Sequence, residues 1–287
     1  MARFSRTGIG GARRRHPPIR LWNDRAVEEP RTQQLLVDVR AGVARLTFDN
    51  PRRRNALTRA MAAAVRQALA ALERDDEVRV VVLAGAGDQA FMSGADIGEQ
   101  GDPATAAAFR EESTAMMAAL DAFPKPLLAS IRGFCLGGGL TTALKADLRL
   151  AADDATFGVP AARLGVGYPY REVARLVAVA GPGAAADVLY TGRRLDAQEA
   201  LRVGLVQRVW PADELDARVA EVAATIAANA PLSLRAAKAA IRAAQRDPAE
   251  RRLDEVEQLI AACWASADYL EGRRAFAEKR PPRFEGR

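Results

Sequence analysis

Apolar residues alternate or run together over Leu35–Val39 and Val43–Phe48, on either side of Ala41-Gly42. That pattern predicts a β-hairpin at the start of the ordered chain. Between Thr58 and Asp75, Met61, Val65, Leu69 and Leu72 recur on one helical face, so this segment predicts an amphipathic helix. Val78–Gly85 is a short β-branched run, as in a strand covered on both faces. A loop containing Gly and Ser follows over Gly85–Gly98, then a helix from about Thr105 to Phe123. Lys125–Gly133 is a second buried strand, and it leads into a Gly-rich turn that opens a helix over Gly137–Ala146. Asp147–Ala152 and Ala155–Pro160 read as short strands, and helical patterns dominate from Arg171 onward, broken by a strand over Gly204–Trp210. Alternating strands and helices followed by a helical tail predict an α/β core with an α-helical C-terminal region. The expected division is a basic, disordered extension over 1–31, a core over 32–210 and a helical region over 211–287.

Composition narrows the function classes. Only 6% of the 287 residues are aromatic while alanine is abundant, which argues against an all-β sandwich. No uninterrupted apolar run reaches the ~18 residues of a membrane span, so no membrane-spanning segment is expected. Cys135 and Cys263 have neither metal-binding nor framework spacing, which fits a reducing compartment. With His16 as the single histidine, a Ser-His-Asp triad or a multi-histidine metal centre is not expected. The net charge of +6 is concentrated in residues 1–31, where eight arginines stand against Asp24, Glu28 and Glu29. The remainder carries about +1 and has no basic stripe interleaved with aromatics, so nucleic acid is not an expected partner. The tail reads first as a disordered extension, with a targeting segment or a binding arm as alternatives. A cytoplasmic enzyme is the simplest expectation.

Two loops carry candidate chemistry. Gly137-Gly138-Gly139 stands between a buried strand and a helix. Glycines there let a ligand approach the backbone and leave N–H groups free for an anion or a developing oxyanion, although three glycines also make a plain tight turn. The triplet has neither the Lys-Ser/Thr of a nucleotide-binding P-loop nor the spacing of a dinucleotide fingerprint. The second loop, Phe91–Glu99, also follows a buried strand. It could aim another N–H at the same oxygen, or simply form a turn that ends in a cap at Asp96.

Several motifs in series carry a specific resemblance. Leu46–Met61, Val80–Glu99, Pro124–Leu140, Asp147–Gly167, Leu189–Val209 and Arg273–Arg287 follow the order and spacing of the crotonase superfamily, the enoyl-CoA hydratase/isomerase family. The resemblance covers about residues 35–287. It implies a crotonase-type spiral of ββα units with a helical C-terminal trimerisation region, assembled as a trimer or a dimer of trimers. It also implies an acyl-CoA thioester substrate whose carbonyl is polarised by the backbone N–H groups of Ala95 and Gly138, with no metal and no cofactor beyond the coenzyme A of the substrate. Arg54, Ala56, Asp96 and Ile97 match positions that line the coenzyme A. Phe276 and Lys279 match a C-terminal aromatic and lysine that reach it, often from a neighbouring subunit.

The departures are as informative. Thr141 and Ala161 stand where hydratases of this family place their two glutamates, and Gly167–Leu176 replaces a glycine-rich turn at the acyl pocket. Adding water across a double bond needs a base and an acid, and neither Thr141 nor Ala161 is one. Replacement acids are sought at Tyr168 and Glu172 in that turn, and at Glu112, beside Glu111, on the helix after the first loop. The expected function is therefore acyl-CoA chemistry through a thioester enolate without the two-glutamate mechanism. Thioester hydrolysis, carbon–carbon cleavage and acyl-CoA binding without turnover are the alternatives.

Overall fold

The computed structural model describes residues 34–287, so the extension expected over 1–31 lies outside the described residues. β1 (Leu35–Arg40) and β2 (Val43–Phe48) form the expected antiparallel hairpin, with Ala41 and Gly42 both at positive φ in the turn. α1 (Arg59–Arg74) starts at Thr58, whose hydroxyl accepts the Met61 N–H at 3.1 Å, and it buries Met61, Val65, Leu69 and Leu72 as the spacing predicts.

Three strands then repeat one plan. β3 (Val80–Gly85), β5 (Leu127–Ile131) and β7 (Leu148–Ala152) are parallel neighbours in a six-stranded sheet. Each is followed by a three-residue strand of a second sheet, namely β4 (Ala90–Met92), β6 (Phe134–Leu136) and β8 (Thr156–Gly158). A helix closes each unit: α2 (Pro103–Ala122), α3 (Gly138–Leu144) and α4 (Tyr170–Thr191). With β9 (Arg194–Asp196) and β10 (Arg208–Trp210), the sheets run β1-β2-β3-β5-β7-β10 and β4-β6-β8-β9. This is the expected succession of ββα units.

The large sheet is covered on both faces, which explains its unbroken apolar runs. Val81, Leu83, Leu127 and Ala129 join α1 and α2 in the main core. Val80, Val82, Leu128 and Leu150 point the other way, onto Leu215, Val219 and Ala223 of α6 (Leu215–Ala227). The short α5 (Ala197–Arg202) precedes β10, and α7 (Pro231–Ala244), α8 (Leu253–Trp264) and α9 (Ala267–Ala277) complete the helical end of the chain.

Two features add to the sequence reading. The strand expected over Lys125–Gly133 is β5, and it does not lead directly into the Gly triplet: a further strand, β6, intervenes, the chain turning from one sheet into the other at Gly133. There φ is +55° and a Cβ would lie 2.0 Å from the Gln89 carbonyl oxygen, so only glycine fits. Second, α4 is 22 residues long with a mean hydropathy of 1.3, long and apolar enough by composition to cross a membrane. Scanning for unbroken apolar runs missed it because Arg171, Glu172, Arg175 and Asp187 interrupt the pattern. At Gly181 the backbone leaves the helical region, with Pro182 next, so α4 consists of two shorter helical pieces. Neither reaches the ~20 residues that a spanning helix needs.

Candidate active site

The two loops singled out from the sequence meet. Leu57 N–H donates to the Gly94 carbonyl and Asp96 N–H to the Leu57 carbonyl, both at 2.8 Å, so the segment after β4 pairs with the Arg54–Leu57 loop like a strand. In such a pairing the intervening N–H, that of Ala95, faces the opposite side. α3 lies on that side: a Cβ built on Gly138 would sit 3.6 Å from the Ala95 nitrogen. Gly138 opens α3, where an N–H has no intrahelical partner. Among the described residues, neither the Ala95 N–H nor the Gly138 N–H donates to a protein acceptor. Two free donors therefore converge at one corner.

Close packing fixes this corner. Gly137 N–H donates to the Gly158 carbonyl at 2.8 Å, tying the triplet to the end of β8. A Cβ on Gly139 would lie 2.1 Å from the Met92 carbonyl oxygen, so β4 and α3 touch backbone to backbone. The Ala95 side is held by Arg53, which reaches Asp96 Oδ1 and Oδ2 at 2.8 and 2.7 Å. Asp96 also accepts the Gly98 N–H at 2.9 Å, the expected cap, here on a 3₁₀ turn over Ile97–Gln100. Burial pushes the Asp96 carboxyl up, but the Arg53 and Gly98 hydrogen bonds and the Arg53 charge outweigh it and hold it below the usual carboxylate range.

The positions matched to coenzyme A fall into two places. Arg54, Ala56, Asp96 and Ile97 lie on the paired loops beside Ala95, where Ala56 is buried, Ile97 is exposed and the Arg54 guanidinium stacks 5.0 Å from the Phe134 ring. Phe276 and Lys279 are instead at the end of α9. Phe276 is 88% exposed and lines an apolar cavity of about 530 Å³ with Trp264, Tyr269 and Phe284, to which no residue of the two loops contributes.

Among the candidate acids, Tyr168 is the one brought to the corner. Its hydroxyl donates to the Gly137 carbonyl at 3.1 Å and also hydrogen-bonds the Thr141 hydroxyl, which itself lies 3.2 Å from the same carbonyl. Burial pushes the phenol up to about 12, against a smaller downward effect of the Thr141 hydrogen bond. Glu172 sits in the first turn of α4, 3.4 Å from the buried Lys145 ammonium, which also holds Asp121 at 2.8 Å. Burial raises the Glu172 carboxyl and Lys145 opposes the rise; its second oxygen is buried without a partner. Glu112 points elsewhere, accepting from Arg66 on α1 at 2.8 Å. Ala161 lies on the turn after β8, half-buried against the main core.

The sequence reading singled out Arg54 but overlooked Arg53 and Lys145. Arg53 is visible only as one member of a run of three arginines. Lys145 has no sequence signal, since its partners come from α2 and α4.

With this geometry in view, comparison with known proteins is specific. Residues 38–287 match the family described as Enoyl-CoA hydratase/isomerase. A crotonyl-CoA hydratase of Syntrophomonas wolfei is 32% identical over 264 residues, covering 88% of this chain and 98% of that one. An enoyl-CoA hydratase/carnithine racemase from Magnetospirillum magneticum superposes with a TM-score of 0.82 at 37% identity, covering 89% of this chain and 96% of its own. For the enoyl-CoA hydratase of Bacillus anthracis the TM-score is 0.84 at 33% identity, over 89% and 100% of the two chains. The chain belongs to the enoyl-CoA hydratase/isomerase family of the crotonase superfamily.

Proposed function

We propose that this protein is an acyl-CoA-processing enzyme that holds the thioester carbonyl between the Ala95 and Gly138 N–H groups and stabilises the enolate formed there. The observation that carries the reading is the convergence of two unsatisfied backbone donors from loops after β4 and β6, adjacent parallel strands. Fixed donors matter most when charge develops on oxygen, and one is typically worth ~3–4 kcal/mol of barrier. The named activities of the relatives, on enoyl-CoA substrates, favour the same class. In this reading the coenzyme A follows Arg54, Ala56, Asp96 and Ile97, and no further cofactor takes part.

The two-glutamate mechanism is not used. Thr141 is committed to Gly137 and Tyr168, and Ala161 has no functional group. Phe276 and Lys279 lie on the helical end of the chain, so their part in coenzyme A binding is played across a subunit boundary in a trimer or a dimer of trimers. The enzyme works in the cytoplasm and needs no nucleic acid or membrane partner.

Calorimetric titration with an acyl-CoA analogue whose thioester sulfur is replaced by methylene tests the carbonyl site. Proline is tolerated at the first position of a helix, so Gly138→Pro removes the donor with the fold retained. Binding about two- to tenfold weaker is expected, the worth of one neutral hydrogen bond. Equal affinity in the folded variant overturns the reading.

A further inference from the structure

The direction of the Ala95 N–H is set from outside its own loop. That N–H shares a peptide with the Gly94 carbonyl, and in a planar trans peptide the two groups point opposite ways. The Leu57 N–H donates to the Gly94 carbonyl at 2.8 Å, so the place of Leu57 decides where the Ala95 N–H is aimed. The Asp96 N–H, donating to the Leu57 carbonyl at 2.8 Å, fixes the next peptide in the same way. Whatever holds Leu57 therefore holds the donor.

Asn55 stands two residues before Leu57 and is fully buried. Every polar atom of its side chain is engaged. Oδ1 accepts the Asn50 N–H at 3.0 Å, and Nδ2 donates to the Ala86 carbonyl at 2.9 Å and to the Ala90 carbonyl at 2.7 Å. The amide thus fastens the loop to the entry of β4. Just past the exit of β4, the Ser93 N–H donates to the Arg54 carbonyl at 3.0 Å, and Leu57 takes the Gly94 carbonyl. One loop grips the strand that leads to Ala95 at both ends. Gly85 makes room for the amide, since a Cβ there would lie 2.7 Å from Nδ2. Arg54 and Asn55 both have positive φ, +52° and +54°, a conformation that asparagine accepts more readily than most residues.

We propose that Asn55 is a positioning residue: acting through Leu57, its amide aims the Ala95 N–H at the point where the Gly138 N–H converges. This rests on the carbonyl site proposed above. Asn55 itself is sealed inside the protein and acts only through the backbone it holds. Small errors matter at such a site. A hydrogen bond weakens steeply as its angle falls, and a misplacement of ~1 Å can cost about 100-fold in rate.

The probe is the methylene analogue of an acyl-CoA with an isotopically labelled carbonyl, bound to the full-length protein and read by isotope-edited infrared spectroscopy. Each hydrogen bond to the carbonyl lowers its stretching frequency, so the wild type should report two donors and Gly138→Pro one. Asn55→Gly keeps the positive φ at no steric cost and removes the amide alone. Asn55→Ser, whose hydroxyl is too short to span to the Ala90 carbonyl, carries the test if the Gly variant does not fold. In either variant the stretch should rise to about the Gly138→Pro value. Affinity for the analogue should fall about two- to tenfold, the worth of one neutral hydrogen bond. An asparagine that only packs would lower the melting temperature and leave the stretch at the wild-type frequency, and that result overturns the proposal. Failure of the carbonyl site beneath it looks different: the analogue does not bind, or its stretch is the same in the wild type and in Gly138→Pro.

Discussion

The corner where the Ala95 and Gly138 N–H groups converge and the wall beside it are neighbours built in opposite ways. The corner is made of backbone: the Ala95 and Gly138 N–H groups, held by a strand-like pairing with Leu57 and by contact of Gly139 with Met92. The wall is made of side chains: Tyr168, Thr141 and Glu172, brought in by α3 and α4. A backbone site is specified by short local motifs and changes little when side chains are exchanged. A side-chain wall can be rebuilt without disturbing the corner. The match to the family over residues 38–287 spans both regions, and in the function proposed above the corner is kept while the wall at Thr141 and Ala161 is not.

The largest expected effect falls on the wall. General acid–base groups contribute about 100- to 10,000-fold each, so hydration of crotonyl-CoA should run at least ~10⁴-fold below a two-glutamate enzyme. A spectrophotometric assay that finds turnover on the order of hundreds per second would break the contrast between an intact corner and a replaced wall.

The next effect falls on the corner. Gly139→Ala places a Cβ 2.1 Å from the Met92 carbonyl oxygen, and neither backbone can yield without unseating β4 or α3. A loss of more than ~4 kcal/mol is expected, in the range reserved for severe backbone or core conflicts. Chemical denaturation measures it, and a variant as stable as the wild type would show that the two elements are not in contact.

A smaller effect is expected where the corner meets the loop that carries Arg53. Arg53→Ala removes the partner of Asp96, but Arg53 is largely exposed and solvent screens the pair. Affinity for the acyl-CoA analogue should fall by no more than about fivefold, with kcat retained. A collapse of kcat would mean that the ion pair sets the oxyanion geometry itself.

The smallest effect lies away from both regions, where the buried Lys238 fastens α7 to the body through Asp147 at 2.7 Å and the Lys125 carbonyl at 2.6 Å. Burial pushes this ammonium down to about 8 from an unfolded value of 10.5, with Asp147 opposing the shift. Between those values the unfolded chain binds more protons than the native one, so stability rises with pH. Below pH 8 both forms are charged and the cost of burying the ammonium is greatest. Melting curves should therefore show the wild type gaining on Lys238→Met between pH 8 and pH 10. A constant difference would place the native ammonium near its unfolded value.

Those two modes of construction also decide what could be read from the chain. The hairpin at Ala41-Gly42, the apolar face of α1 and the alternating cores of β3 and β5 follow from local periodicity and turn chemistry. The Phe91–Glu99 loop and the Gly triplet were legible for the same reason. Of the second sheet only β8 was legible, within Ala155–Pro160; β4, β6 and β9 were not, because they have three residues each, too few to show a period. The Tyr168–Thr141 contact spans 27 positions and depends on where α4 docks. Tyr168 could be named from its turn, but not its partner. The embedding of Lys145 between Asp121 and Glu172, and the cut in α4 at Gly181, likewise belong to tertiary packing.

The most direct measurement is a crystal structure with the methylene analogue of an acyl-CoA bound. The account predicts the carbonyl oxygen within ~2.7–3.1 Å of both the Ala95 and the Gly138 nitrogens. A carbonyl bound elsewhere, with either N–H left open to solvent, would contradict it.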